Sequence, residues 1–225
     1  MKQEFINVAL SQLGYKETGK NFTKYGEWYG INPGAWCAMF VSWCAYKANV
    51  PKSLIPKYAN CGVGRKFFKE KNRLTAKANM GDVGFVMKKG AAQHTFIVEY
   101  VDSKKVHTVE GNLSDMVKRN TRTIGYNEKT GNGLLFGNVE WSESTYAGTF
   151  PKLPSRKYFK KGDKGAEVKN LQKFLNWALD IKLQLDGSYG PITKEQVQHF
   201  EKIVGNKANG LFGEKDLAAA KKYKR

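Results

Sequence analysis

At 225 residues, 41% hydrophobic and 13% aromatic, the chain can bury a core and is long enough for two domains, which excludes a disordered polymer. No run approaches the ~20 apolar residues of a membrane span, so stable membrane association is not expected. The net charge of +18 is spread along the chain, Lys and Arg outnumbering Asp and Glu by 21 to 12 in residues 1–151 and by 14 to 8 in residues 158–225; such a diffuse field suits an extended polyanion better than the concentrated stripe of a nucleic-acid binder.

Residues 2–13 have a helical pattern, with Phe5, Ala9 and Leu13 on one face. A charge interrupts the apolar stretch and no small-residue cleavage site follows, so the segment reads as a first helix and not a signal peptide; synthesis in a cytoplasm is expected. A Gly-, Asn- and Tyr-rich stretch runs from Gly14 to Ala35, and an apolar segment, Trp36–Ala48, reads as a buried helix ending before Pro51. After Gly81 the period becomes two. Val83–Met87, His94–Val101 and Val106–Asn112 read as antiparallel strands, with Leu134–Val139 and Tyr146–Phe150 as further candidates. Helices followed by an antiparallel sheet make an α+β domain.

Thr149–Lys157, with two prolines, is the expected linker, giving a first domain over residues 1–150, a linker over 151–157 and a second domain over 158–225. In the second, an amphipathic helix spans Ala166–Leu179 and a near-repeat follows: DGSYGPITKEQVQHF (Asp186–Phe200) is echoed by NGLFGEKDLAAAKKY (Asn209–Tyr223). Each copy has a tight turn that needs positive φ at Gly187 or Gly210, then an aromatic residue, a second Gly and a helix. The sum is a three-helix module of ~65 residues, near the lower limit for unaided folding.

Of three cysteines, Cys37 falls in the first turn of the helix after Asn32-Pro33-Gly34. There the helix dipole lowers a thiol pKa, and free backbone N–H groups can hold an oxyanion. A buried apolar thiol is the plain alternative. Cys44 lies deep in the same helix and Cys61 in a loop, and both read as structural. A nucleophilic cysteine needs a base and a group to orient it. His199 lies on a helix of the second domain, while His107 and His94 lie on neighbouring strands. If the hairpin closes over Asp102-Ser103-Lys104, His94 faces Glu110 and Asn112, and either could hold its imidazole; one residue wider and it points away. The three-residue closure is the expectation.

W-C-A-M-F-V-S-W-C, then G-D-V at residue 81, then Q-H-T-F-I-V, then V-E-G-N, in this order, resemble the CHAP family of cysteine, histidine-dependent amidohydrolases/peptidases. The resemblance spans roughly residues 5–147 and implies a papain-like fold, Cys37 as nucleophile, His94 as base, and Glu110 and Asn112 as the pair that orients it. It implies no cofactor here. Some members bind calcium through aspartates before the cysteine, but residues 21–35 contain one acid, Glu27, so no metal is expected. Likewise GDKGAEVKNLQKFL with DGSYGPITKEQVQHF resembles the peptidoglycan-binding module of cell-wall lytic enzymes, with Glu201 where Gln is usual.

The implied function is hydrolysis of an amide bond of the peptidoglycan stem, as an N-acetylmuramoyl-L-alanine amidase or an endopeptidase. Tyr25, Asn32 and Trp36 are candidate substrate contacts, Asn32 or Tyr25 sharing the oxyanion with the Cys37 amide. Asp186, Tyr189, Asn209 and Phe212 are candidate wall contacts. Size, module order and the absent signal peptide resemble a phage endolysin, made in the host cytoplasm as a monomer and released to act on Gram-positive peptidoglycan. A wall-binding protein with an inactive hydrolase domain and a nucleic-acid binder are the competing readings, and no aromatic-basic stacking pattern favours the latter.

Overall fold

A computed structural model describes residues 1–224, which form two compact units, Met1–Trp141 and Ser142–Arg225 apart from the last residue. No helix among the described residues is long and apolar enough to cross a membrane.

The first unit opens with four helices: α1 (Lys2–Leu10), α2 (Lys24–Tyr29), α3 (Cys37–Lys47) and α4 (Cys61–Glu70). Strands β1 (Leu74–Thr75), β2 (Val83–Lys88), β3 (Ala91–Asp102), β4 (Lys105–Glu110), β5 (Lys118–Thr123), β6 (Tyr126–Asn127) and β7 (Asn132–Gly137) follow. They make one antiparallel sheet in the order β1-β7-β2-β3-β4-β5, with β6 on β7. The α+β expectation holds. Helices α1, α3 and α4 pack on β3, and Phe5, Phe40, Phe68, Phe85 and Ile97 fill the core between them. Helix α3 is buried nearly all round, which explains its continuous apolar sequence.

Two elements differ from the sequence expectation. Cys61 is not in a loop but is the first residue of α4, whose N-cap, Asn60, accepts hydrogen bonds from the amides of Gly62 and Val63. Gly62 and Gly64 hide this helix in the sequence because glycine is a poor helix former. Gly64 is there for close approach: a Cβ would stand 2.5 Å from the Tyr58 ring. Strand β5, KRNTRT, has no apolar residue and carries ion pairs instead.

The β3–β4 hairpin closes with Val101 opposite Val106 and Asp102 opposite Lys105, a two-residue turn and not the expected three. A bulge at Glu99 absorbs the difference, so that beyond it Val98 faces Thr108 and Ile97 faces Val109. That is the register which sets His94 on the face of Thr108 and Glu110. Arg119 pins the bulge, its Nε and Nη2 donating to the buried Glu99 carboxylate at 2.9 and 3.0 Å.

In the second unit, β8 (Tyr158–Phe159) pairs with β9 (Phe212–Gly213) beside α5 (Ala166–Leu179), α6 (Pro191–Ile203) and α7 (Glu214–Lys222). Tyr146–Phe150 is not a strand. Tyr146 and Phe150 pack on Phe174, which makes the expected boundary at 150 a division between Trp141 and Ser142. Residues 151–157 are likewise part of the second unit and not a bare linker, with Leu153 against its core. The near-repeat has a common support. Gly187 (φ +67°) and Gly210 (φ +69°) sit at the two turns, and each donates its N–H to a side chain of the preceding helix, to Gln172 Oε1 at 2.9 Å and to Glu201 Oε2 at 2.8 Å.

Candidate active site

Helix α3 begins at Cys37, whose amide lies in the first turn and so has no acceptor within the helix. A chain of buried hydrogen bonds fixes what surrounds it. Ser42 Oγ of α3 donates to the Tyr58 carbonyl at 2.7 Å and accepts from the Tyr58 amide at 2.8 Å. The Tyr58 hydroxyl meets Thr95 Oγ1 at 3.3 Å, and Thr95 Oγ1 donates to the Gly84 carbonyl. Helix α3, the segment entering α4, and the strand that carries His94 are thus tied together. The thiols of Cys37 and Cys61, each opening a helix, stand 3.6 Å apart.

His94 bonds Glu110 Oε2 through Nε2 at 2.9 Å, and its ring lies near enough to Cys37 for each to shift the other's charge. Glu110 is fully buried. Thr108 Oγ1 donates to it at 2.6 Å, and Arg122 grips it with Nε and Nη2 at 2.8 and 2.7 Å. A buried carboxylate with this many donors is held ionised. Burial alone would raise its pKa, but the bonds from His94, Arg122 and Thr108 bring it down to about 2.

The same balance sets the other two groups. Cys37 is lowered, first by the hydrogen bond from Cys61, against burial, and then by the hydrogen bond and charge of His94. For His94, burial pulls the pKa down, yet the bonds to Cys37 and Glu110 and their negative charges lift it to about 9. Both shifts run in the direction that favours a thiolate–imidazolium pair, backed by a carboxylate and an arginine. Cys61 is raised because it keeps the proton it shares with Cys37, and Cys44 is raised by burial. Three thiols in one domain have three different fates.

Of the sequence-derived candidates, Cys37, His94 and Glu110 come together. Asn112 follows the end of β4 at φ +58°, and its side-chain amide donates to Asn21 Oδ1 at 3.4 Å. Tyr25 and Trp36 are core residues, stacked at 5.3 Å, with the Tyr25 hydroxyl donating to Gln12 Oε1 and Trp36 Nε1 to Glu17 Oε2. Asn32 is exposed, but its Oδ1 accepts from the Thr23 amide. In the second unit Tyr189 and Phe212 are buried core. Asp186 and Asn209 are exposed, and the side-chain Oδ1 of each braces its turn, accepting from the Ser188 and Leu211 amides. The exposed apolar side chains beside those turns are Leu185, Ile192 and Leu211.

Sequence reasoning missed Cys61 and Arg122. Asn60-Cys61-Gly62 carries an N-cap signal that could have found the first, and the parity of β5 against β4 the second.

Residues 28–112, which contain the whole Cys37–His94–Glu110 cluster, match the CHAP domain family. Residues 28–112 thus carry a CHAP domain within the first unit. Residues 164–219 match the putative peptidoglycan binding domain family, which follows it in the chain. No curated protein matches the chain. Among solved structures, a Burkholderia AP3 phage endolysin is similar at 34% identity over 28% of this chain and 24% of its own, with a TM-score of 0.27. Ly7917 is 15% identical over 65% of each chain with a TM-score of 0.37, and a periplasmic domain of the Vibrio vulnificus EpsAB fusion protein is 16% identical over 68% of this chain and 59% of its own, with a TM-score of 0.29. The match thus spans about a quarter of the first of these, and at such TM-scores the likeness says nothing of the fold.

Proposed function

We propose that this protein is a peptidoglycan hydrolase of the endolysin type, which cuts an amide bond of the stem peptide with Cys37 as nucleophile. The observation that supports the reading is the cluster of Cys37, His94 and Glu110 at the start of α3, within the CHAP match, in a chain whose residues 164–219 match a peptidoglycan-binding family. Cys37 attacks the amide carbonyl, and the oxyanion that forms is held by the Cys37 backbone N–H. His94, already protonated, gives its proton to the departing amine, leaving a thioester. As a neutral base it then takes a proton from water, which attacks the thioester and frees Cys37. Glu110, gripped by Arg122, keeps the imidazole oriented and charged.

The second unit supplies residence at an insoluble substrate. Its wall contacts fall on exposed Asp186 and Asn209 with the apolar side chains beside them. A Gram-positive wall, with its anionic polymers, fits the net charge of +18. The protein acts as a monomer on the wall after release from the cytoplasm that makes it, without nucleic acid or a metal cofactor.

The test is turbidity loss of purified Gram-positive sacculi with wild type and Cys37→Ala, followed by mass spectrometry of the released fragments. Wild type should clear the walls and Cys37→Ala should lose at least ~10³-fold of the rate. A new N-terminal L-alanine identifies an amidase and a new internal amine an endopeptidase. Equal clearing by the two proteins removes Cys37 from the mechanism.

A further inference from the structure

Cys61 has no step in the hydrolysis just described, yet it is placed with care. It opens α4 under an Asn60 cap, the Ser42–Tyr58 hydrogen-bond pair holds the segment before it, and its sulfur lies 3.6 Å from that of Cys37. A disulfide needs ~2.05 Å between sulfurs, so the pair must close by roughly 1.5 Å. Cys44, the third thiol, lies in the interior of α3 with no exposure and is not part of the pair.

We infer that Cys61 is a resolving thiol: when a hydroperoxide oxidises Cys37, Cys61 captures the product as a Cys37–Cys61 disulfide and so keeps the nucleophile recoverable. In the first step the Cys37 thiolate attacks the terminal peroxide oxygen, the O–O bond breaks, and the alcohol or water leaves with the proton of the His94 imidazolium, giving a sulfenic acid on Cys37. In the second the Cys61 sulfur attacks the Cys37 sulfur, the S–O bond breaks, and water leaves with the Cys61 proton. Two thiols and one peroxide become one disulfide, with the peroxide reduced. An added dithiol reverses this by exchange.

The ionised state of Cys37 is what makes it the site of attack, since the thiolate and not the thiol reacts with peroxide. The same proximity that lets Cys61 donate a hydrogen bond to that thiolate puts its sulfur in reach once Cys37 is oxidised. Without a neighbour, a sulfenic acid goes on to sulfinic and sulfonic acids, which dithiols do not reduce. Loss of activity on oxidation rests on Cys37 being the nucleophile. Disulfide formation itself does not, and the two are read separately.

The experiment uses the full chain with Cys44→Ser, because trypsin then yields one peptide, residues 25–47, with Cys37 alone, and another, residues 58–65, with Cys61 alone. Reduced, desalted protein is treated with a few equivalents of hydrogen peroxide, then mapped by mass spectrometry and assayed on walls before and after dithiothreitol. The expected result is loss of two hydrogens, a 25–47/58–65 cross-link, loss of clearing, and return to the starting rate with dithiothreitol. In Cys61→Ser with Cys44→Ser, Cys37 should gain two or three oxygens and clearing should not return. Oxygenated Cys37 without the cross-link in the parent protein, or full recovery in the Cys61→Ser variant, overturns the proposal. If that variant does not fold, the parent cross-link map decides alone. If the cross-link forms on oxidation but the reduced protein clears no wall, the hydrolase reading fails and the dithiol stands.

Discussion

Glu110 shows how one buried carboxylate can influence the charge of a thiol two groups away. Its charge is kept by Arg122 and Thr108, and through His94 it favours the imidazolium that in turn favours the Cys37 thiolate. The active pair exists between the pKa of Cys37, about 5, and that of His94, about 9. Acid protonates the thiolate and base removes the imidazolium proton, so kcat/KM should describe a bell between these limits. Glu110→Gln keeps the shape but removes the charge. The alkaline limb should then move from about 9 towards the ordinary histidine value, with about 10²- to 10⁴-fold lower kcat. An unmoved alkaline limb in a folded variant would mean that Glu110 serves only the fold. Arg122 would be left without its partner, so folding of the variant needs its own check by thermal melting.

Among the elements, the polar strand β5 and the two glycine turns of the second unit depend on polar side chains. Strand β5 contributes no apolar side chain, yet through Arg119 it pins the bulge that sets the register and through Arg122 it holds the site. In the second unit, the first turn is braced by neutral Gln172 beside charged Asp186, whereas the second is braced by the acid Glu201 beside neutral Asn209. The charge has moved from the exposed position to the buried one. Burial raises the Glu201 pKa to about 7, although the amides of Gly210, Leu211 and Asn209 oppose it. A carboxyl raised on folding adds stability below its unfolded pKa and loses it as pH rises through about 7. Glu201→Gln removes this dependence. Its module should melt higher at pH 8, by on the order of 1 kcal/mol or roughly 4–8 °C after allowing for solvent screening, with the gain shrinking towards pH 5. A constant difference across that range would show that Glu201 does not titrate on folding.

At the level of the whole molecule, the excess positive charge lies in both units, so attraction to an anionic wall should act on the chain as a whole. Exposed charges are screened over ~8 Å at physiological salt. Clearing of sacculi by the full chain should therefore fall several-fold between ~50 and ~300 mM salt, and a flat profile would remove charge from the account of wall binding.

The elements whose sequence carried a hydrophobic period were legible before any coordinates: α3 and α5, the strands β2 to β4, and the paired glycine turns of the second unit. So was Cys37, because a helix start is a local property, whereas the facing of His94 and Glu110 turned on the bulge at Glu99. Tyr25, Trp36, Tyr189 and Phe212 read as site residues because a sequence names a residue type without saying which way it faces. The tertiary structure alone decided the rest. A polar strand, a glycine-bearing helix and a bulge leave little hydrophobic pattern, since their stability comes from partners distant in the chain, as Arg119 is from Glu99 and Tyr58 from Thr95. The meeting of Cys61 with Cys37 is of the same kind. Twenty-four residues separate them, and only the packing of two helix starts against one strand brings their sulfurs together.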